Sequence, residues 1–177
     1  MHPVSPELQR VLMKEMTPLS YPKNYILHEA PWVADYAYFI HSGYAISYFF
    51  LKGRKRVQCI WHSGDIMLLP TSFIEKSESK EHIELLDDCE LICINHSSVT
   101  KLFRDFPETN NIYRKVMNQY YDAAKERLID TLFLSAHERL KKLLNRLPEI
   151  EQIMTQEDVA SFLGITPQSL SRIKRKS

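Results

Sequence analysis

The sequence contains little glycine, little cysteine and no long apolar run. Four glycines in 177 residues are too few for a glycine-rich nucleotide-binding fold. The three cysteines, Cys59, Cys89 and Cys93, are too few and too scattered for a disulfide framework. No apolar run approaches the roughly 18–20 residues that a membrane-spanning helix needs, and the N-terminus lacks the apolar region of a signal peptide. These absences predict a cytoplasmic protein that has no membrane partner.

The sequence also lacks the motifs of catalysis and of metal binding. Its histidines show no H-x-H or H-E-x-x-H spacing, so no zinc site is expected. Cys89 and Cys93 lie in a run that is typical of a strand, which would separate them by roughly 13 Å, too far for one metal ion or a disulfide. No pairing of a nucleophile with a base is recognisable. We therefore expect neither an enzyme nor a bound cofactor or metal.

A hydrophobic core and an uneven charge are present instead. The chain is 44% hydrophobic and 11% aromatic, which excludes global disorder. Its net charge is +1, but residues 1–113 carry 11 basic and 14 acidic groups, whereas residues 114–177 carry 12 basic and 8 acidic groups. The basic C-terminal part favours an anionic partner there. The alternative is that lysines and arginines only decorate solvated helix faces.

Residues 21–95 are predicted to be rich in β-strands. Short runs of aromatic and branched residues alternate with polar clusters that contain glycine, at residues 25–27, 36–39, 44–51, 56–61 and 90–94. Short strands at such intervals predict a compact β-sandwich or roll. The intervening segment 66–82 fits no strand well and is predicted to be a loop or a short helix.

The segments on either side are predicted to be helical. Helices are expected over residues 4–16, 97–106, 109–134 and 136–147. The third of these has no glycine or proline, and apolar residues at helical spacing form a stripe along it: Tyr113, Met117, Tyr120, Ala124 and Leu128. Such a stripe packs either on the β-rich part of the chain or on a twin helix in a dimer.

The last 23 residues match the helix-turn-helix template. Thr155 can cap a first helix, and Gly164 suits the left-handed conformation that ends it. Thr166 and Pro167 then begin a second helix. Seven template positions carry the expected small or apolar residue, namely Val159, Ala160, Leu163, Gly164, Ile165, Leu170 and Ile173. The alternative is a helical hairpin that binds nothing.

The outward face of the second helix is polar and basic. Glutamine and arginine side chains read adenine and guanine edges in the major groove, and the basic side chains at the end of the chain can neutralise phosphates. The predicted DNA-binding residues are Thr166, Gln168, Ser169, Arg172, Lys174 and Lys176.

With these features the chain resembles the Crp/Fnr superfamily of transcription regulators, the cyclic-AMP receptor protein type. The resemblance covers nearly the whole chain. The resemblance rests on motifs of different specificity. Residues 38–43 and 62–66 match motifs of modest specificity, and residues 157–166 together with 170–173 match the most specific motif. By this resemblance, Arg172 occupies the position of the family's base-reading arginine.

The resemblance implies an α+β fold in three parts. These are a cyclic-nucleotide-binding-type β-roll sensor domain over residues 1–108, a long dimerisation helix over 109–134 and a helix-turn-helix DNA-binding domain over 135–177. The stripe on the long helix is the predicted interface of a homodimer that binds double-stranded DNA and regulates transcription. RNA polymerase is a further partner consistent with the resemblance, and the effector is either an unknown small molecule or absent.

One departure from the family lies in the predicted effector pocket. In the cyclic-AMP binders a Gly-Glu pair holds the ribose, and the arginine of an Arg-Ser/Thr-Ala run neutralises the cyclic phosphate. Here Leu68 and Leu69 stand at the first site, and Ser79 and Lys80 stand at the start of the second. A leucine cannot hydrogen-bond a ribose, and lysine lacks the bidentate fork of arginine. The sequence therefore predicts a regulator that does not respond to cyclic AMP.

A second departure lies at the C-terminus. Family relatives follow the recognition helix with a β-hairpin wing, whereas the given sequence stops at Ser177. The wing is expected either to be missing or to lie beyond the given sequence. An alternative function is a degenerate β-roll that binds a ligand or a protein but no DNA.

Overall fold

In the computed structural model, residues 5–175 are described. In chain order the elements are α1 (Pro6–Glu15), β1 (Thr17–Tyr21), β2 (Ile26–His28), β3 (Tyr36–Ser42), β4 (Tyr44–Leu51), β5 (Arg54–His62), β6 (Ile66–Met67), α2 (Pro70–Glu75), β7 (His82–Leu85), β8 (Cys89–Asn95), α3 (His96–Asp105), α4 (Thr109–Phe133), α5 (Ala136–Arg146), α6 (Ile150–Ile153), α7 (Gln156–Phe162) and α8 (Pro167–Lys174). No helix within this described part combines the length and the apolarity that crossing a membrane requires.

The eight strands form two antiparallel sheets of four strands each. One sheet has the order β1-β8-β3-β6 and the other the order β2-β7-β4-β5. Gly43 joins β3 to β4 with a φ of +101°, and a Cβ atom there would lie 2.4 Å from the Cys89 sulfur. Only glycine fits this link, because it tolerates both the positive φ and the close approach.

A first hydrophobic core fills the space between the two sheets. Buried side chains from both sheets meet there, including Ile40 and Leu91 from one and Ile83 and Leu85 from the other. Helices close the open sides of this space, since Phe73 of α2 and Val116 of α4 belong to the same buried cluster. The sheets and helices together form the roll that the sequence predicted.

A second core joins the C-terminal helices to the outer face of the β4–β5 hairpin. It combines strand residues such as Ile46 and Val57 with Leu143, Val159 and Leu170 of the helices. The helical part therefore packs directly on the roll.

Helix α7 lies along β5, which is an edge strand of its sheet. The Ser161 hydroxyl accepts a hydrogen bond from the Val57 amide (3.0 Å) and donates one to the Lys55 carbonyl (3.1 Å). The Lys55 ammonium lies 3.2 Å from a carboxylate oxygen of Asp158 and 2.8 Å from one of Glu84. This α7–β5 junction gives the edge strand partners that a neighbouring strand would otherwise supply.

Arg127 of α4 connects three elements. Its guanidinium donates to the carbonyls of Val57 (3.0 Å) and Phe162 (3.1 Å), and it lies 4.6 Å from the centre of the Phe162 ring. Burial lowers the pKa of Arg127, but the group stays charged because an arginine pKa is far above neutrality. The long helix, the roll and α7 are therefore held at one point.

The predicted elements are confirmed with small shifts in their bounds. The predicted helices correspond to α1, α3, α4 and α5, and the segment predicted as a loop or short helix contains α2. The prediction missed β1, β6, β7 and α6. Strand β1 contains a proline and a serine, and α6 has only four residues, so neither carries a periodic apolar signal.

Candidate nucleic-acid interface and sensor site

Helices α7 and α8 form the predicted helix-turn-helix. The Thr155 hydroxyl caps α7 by accepting a hydrogen bond from the Asp158 amide (3.1 Å). After α7, Gly164 has a φ of +69°, and the Ile165 amide donates back to the Ala160 carbonyl (3.0 Å). This is the arrangement in which a left-handed residue closes the last turn of a helix. The turn sets the angle at which α8 leaves α7.

Four side chains form the exposed face of α8. Gln168, Ser171, Arg172 and Arg175 are all exposed, and their spacing of three, four and seven residues from Gln168 places them on one side of the helix. The opposite side is anchored by Leu170, which is completely buried. Because packing does not use the exposed face, it is available to a partner.

The predicted DNA-binding residues do not all lie on this face. Thr166 and Ser169 form the cap of α8, since the Thr166 hydroxyl accepts from the Ser169 amide (3.1 Å) and donates to the Ser169 hydroxyl (3.0 Å). Lys174 forms an ion pair with Glu151 of α6, and Lys176 lies outside the described residues. Gln168 and Arg172 are thus the two predicted residues on the exposed face.

Ser171 and Arg175 also belong to this face, although neither is among the six predicted DNA-binding residues. Arg175 follows Gln168 by seven residues, which is two helical turns. This spacing in the sequence indicates that Arg175 lies on the same side of the helix as Gln168 and Arg172.

The predicted dimer stripe is partly buried in its N-terminal half and exposed in its C-terminal half. Met117 and Tyr120 pack against the core of the roll, and Tyr113 packs edge-on against Phe103 of α3, with ring centres 5.5 Å apart. Of the five predicted residues, only Ala124 and Leu128 are exposed. The N-terminal half of the stripe therefore packs against the roll and is not free to form a dimer interface.

A different apolar row on α4 is exposed. We call Tyr121, Leu128 and Leu132 the outer stripe; their exposed fractions are 65%, 59% and 65%. Their spacing of seven and four residues keeps them on one face of the helix. Ile129 and Phe133 are exposed beside them. The prediction named Leu128 of this row but missed Tyr121 and Leu132, which lie beside the predicted stripe.

The four predicted effector residues have different environments. Leu68 and Leu69 are buried in the core of the roll. The Ser79 hydroxyl is used in a local turn, where it accepts a hydrogen bond from the Glu81 amide (2.9 Å), and Lys80 is exposed. No arginine and no ribose-binding carboxylate is found at the two family positions.

Tyr120 fills part of the interior beside these leucines. Its hydroxyl accepts a hydrogen bond from the Leu68 amide (3.0 Å) and lies 2.9 Å from the Ile66 carbonyl, to which it can donate. Burial raises the pKa of Tyr120, so the hydroxyl remains protonated and able to donate at neutral pH.

The cysteines and acidic residues show no site for redox or metal chemistry. Burial raises the pKa of Cys59 to about 11 and also raises the pKa of Cys89 and Cys93, which disfavours the reactive thiolate. Within residues 5–175, no group of three His, Cys, Asp or Glu side chains is placed to hold a metal ion.

No family model and no curated protein matches the sequence, but many solved structures match the fold. FixK2 from Bradyrhizobium japonicum is 19% identical with a TM-score of 0.79, and the match covers 91% of this chain and 83% of that one. The fold is that of the Crp/Fnr regulators. A protein described as a Crp/Fnr family regulator, from Eubacterium rectale, is 18% identical with a TM-score of 0.79 over 98% of this chain and 83% of that one.

A third similar structure is that of the c-di-GMP-responsive global regulator CLP from Xanthomonas campestris. It is 17% identical with a TM-score of 0.75, over 97% of this chain and 91% of that chain. The three matches span both the roll and the C-terminal helices. They confirm the predicted α+β fold, in which a cyclic-nucleotide-binding-type roll precedes a helical DNA-binding-type domain.

Proposed function

We propose that this chain is a sequence-specific DNA-binding regulator of transcription, and not an enzyme. The observation that carries the proposal is the exposed face of α8, where Gln168 and Arg172 lie one helical turn apart on the second helix of a helix-turn-helix. In this motif the second helix enters the major groove. The Arg172 guanidinium can donate two hydrogen bonds to a guanine edge, and Gln168 can pair with an adenine edge.

Phosphate contacts fall to other residues of the same face. Arg175 is exposed, whereas the charge of Lys174 is matched by Glu151. We therefore assign the phosphate-neutralising role at the C-terminal end of α8 to Arg175, which directly follows the helix, and only a secondary role to Lys174. Lys176 remains a predicted phosphate contact.

The proposed regulator is a homodimer that pairs through α4. The outer stripe supplies a row of exposed apolar side chains on the longest helix, and covering such a row removes apolar surface from water. A two-fold pair would place two α8 helices so that they can read half-sites one DNA turn, about 34 Å, apart.

We further propose that cyclic AMP is not the effector. The side chains of Leu68 and Leu69 offer no hydrogen bond to a ribose. The Leu68 amide already donates its hydrogen bond to the Tyr120 hydroxyl. Calorimetry with cyclic AMP and cyclic GMP is expected to show no binding at micromolar concentrations. Micromolar affinity for either nucleotide would contradict this part of the proposal.

Selection of bound duplexes from a random pool tests the DNA-binding function. The expected result is a two-fold symmetric site whose half-sites lie one turn apart, with an affinity that falls steeply between roughly 50 and 200 mM salt. If no sequence is enriched and no duplex is retained even at low salt, the roll is instead a ligand- or protein-binding module.

A further inference from the structure

Two arginines from different helices hold the C-terminal end of α7. The Arg127 guanidinium of α4 donates a hydrogen bond to the Phe162 carbonyl (3.1 Å), and the Arg139 guanidinium of α5 donates one to the Leu163 carbonyl (3.2 Å). These two carbonyls are the last before Gly164, the residue at which the chain turns towards α8. We call the two side chains, Arg127 and Arg139, the arginine clamp.

The carbonyls at the end of α7 receive hydrogen bonds from two sources. The last carbonyls of a helix have no partner within the helix itself. Here the amides of residues 163–165 donate to the carbonyls of residues 159–161, so the turn satisfies the first three. The next two carbonyls, those of Phe162 and Leu163, receive their hydrogen bonds from the arginine clamp. The backbone that ends α7 is therefore completed by side chains from outside α7 and α8.

Each arginine of the clamp also binds a second part of the backbone. Arg127 donates to the Val57 carbonyl of β5 (3.0 Å) and to the neighbouring Gln58 carbonyl, and Arg139 donates to the Leu134 carbonyl at the end of α4 (2.7 Å). A guanidinium suits this role because its planar fork carries five N–H donors at fixed angles. The end of α7 is therefore tied to the roll and to α4 at once.

The clamp lies at the opposite end of α7 from the ion pair of the α7–β5 junction. That ion pair joins Lys55 to Asp158 in the first turn of α7 (3.2 Å), whereas the clamp binds the last residues of the helix. A helix that is fixed at one end only can still tilt about that end. Contacts at both ends fix the direction of α7 and, through the turn at Gly164, the direction of α8.

We propose that Arg127 is a positioning residue for DNA recognition. Its guanidinium fixes the angle of α8 relative to the roll, so that the dimer reads two half-sites at one spacing only. Arg127 acts through α7 and not through a base contact, since its three hydrogen bonds go to backbone carbonyls. The inference rests on the proposed DNA-binding function and adds to it the residue that sets the half-site spacing.

Three variants of the full chain test this role. Arg127→Met removes the donors and keeps a long unbranched side chain. Arg127→Lys keeps the charge but lacks the planar fork, so it can hold one carbonyl without joining α7 to β5. Arg114→Met is the matched control, because Arg114 is an exposed arginine of the same helix and its guanidinium bonds to Asn111, one turn away on α4.

The first measurement is the dependence of DNA affinity on half-site spacing. Two base pairs inserted into a selected operator rotate one half-site against the other by about 70°, since B-DNA turns once in about 10 base pairs. Because protein or DNA must then be distorted, the wild-type chain and Arg114→Met are expected to bind the lengthened operator at least tenfold more weakly. For Arg127→Met this ratio should fall by at least threefold, with Arg127→Lys in between, while the base preference within each half-site is unchanged. A loss of folded protein alone would weaken both duplexes equally and leave the ratio unchanged.

The second measurement needs no DNA. Spin labels at Ser20→Cys on β1 and Ser171→Cys on α8, both exposed positions, report the distance between the roll and α8 by pulsed electron paramagnetic resonance. The native thiols react slowly because burial raises their pKa, and dilution with unlabelled chain leaves one labelled protomer in a dimer. The wild-type chain and Arg114→Met are expected to give one narrow distance distribution, and Arg127→Met a distribution at least twice as wide.

The two measurements distinguish failure of this inference from failure of the proposed function. If the chain binds no DNA but Arg127→Met widens the distance distribution, DNA recognition is wrong and the positioning of α8 by Arg127 stands. If Arg127→Met keeps both the spacing ratio and the distance distribution of the wild-type chain, the inference is overturned. Where Arg127→Met does not fold, Arg127→Lys takes its place, and wild-type values in both measurements then overturn the inference.

Discussion

The hydroxyl of Tyr120 accepts a hydrogen bond from the backbone amide of Leu68 at 3.0 Å. The two residues belong to α4 and to the segment after β6, and they are 52 positions apart in the chain. The contact makes the long helix a wall of the roll as well as a candidate dimer element. It also ties α4 to the segment where the family's cyclic-AMP binders hold the ribose.

Replacing Tyr120 by phenylalanine tests this contact. The change leaves the ring in place but removes the partner of a buried amide, which typically costs about 1–3 kcal/mol. We expect the free energy of unfolding, measured by urea denaturation, to fall by that amount. Tyr121→Phe is the control, because Tyr121 is the exposed neighbour and its change should stay within about 0.5 kcal/mol. Equal stability of Tyr120→Phe and the wild-type chain would show that the hydroxyl is dispensable.

Arg172, on the exposed face of α8, is expected to differ from Lys174 in its effect on DNA binding. Arg172→Ala should cost about 1–3 kcal/mol per half-site on a selected operator and relax the preference at one base pair. Lys174→Ala is the matched control, since its charge is already paired with Glu151, and it should change the affinity little. Fluorescence anisotropy on operator and single-substituted duplexes measures both. If Arg172→Ala leaves the base preference intact, α8 is not the reading helix.

Arg175 is expected to act on all DNA alike. Because it would neutralise a phosphate, Arg175→Ala should weaken selected and random duplexes by similar factors and lower the slope of log affinity against log salt by about one. The slope is measured by repeating the anisotropy titrations at several salt concentrations. An effect confined to the operator would instead assign Arg175 to base reading.

A charge on the outer stripe is expected to separate the proposed dimer. Leu128→Glu places a carboxylate in the apolar face of α4, and desolvating that charge is costly. Light scattering at tens of micromolar should report a dimer for the wild-type chain and a mass near 20.8 kDa for the variant. Gln119→Glu adds the same charge on the opposite side of the helix, nine residues away, and should leave the dimer intact. A wild-type monomer would refute the proposed pairing.

The thiol of Cys59 is expected to resist alkylation while the chain is folded. Its pKa is raised by burial to about 11, so at pH 8 the thiolate is only about a thousandth of the population. Iodoacetamide at pH 8 should label Cys59 slowly in the folded chain, as followed by mass spectrometry, whereas the same treatment in urea should label it fast. Fast labelling of the folded chain would contradict the burial that sets this pKa.

The helix-turn-helix could be predicted from sequence because its signals are local. The caps at Thr155 and Thr166 and the left-handed Gly164 act within a few residues of their own positions, and the same chemistry operates in any helix pair. The strands with aromatic and branched runs were predicted for a similar reason. Element type follows from short-range pattern where that pattern is strong.

The orientation of α4 and the shape of the sensor site could not be predicted in the same way. The helix has two apolar faces, and the sequence does not say which one meets the roll, so Tyr120 was assigned to the dimer although it lies inside the roll. The sequence around Arg127 did not indicate that its side chain links three elements, because its partners are backbone carbonyls 35 and 70 positions away.

The position of Ser161 on the edge of β5 has a consequence for attempts to divide the chain. With α7 removed, the Val57 amide and the Lys55 carbonyl would lose their partner, and an uncovered strand edge is a template for adding strands from other molecules. A fragment that ends before α7 is therefore expected to aggregate edge to edge. The helix that positions α8 would thus also shield the edge of the roll from pairing with strands of other molecules.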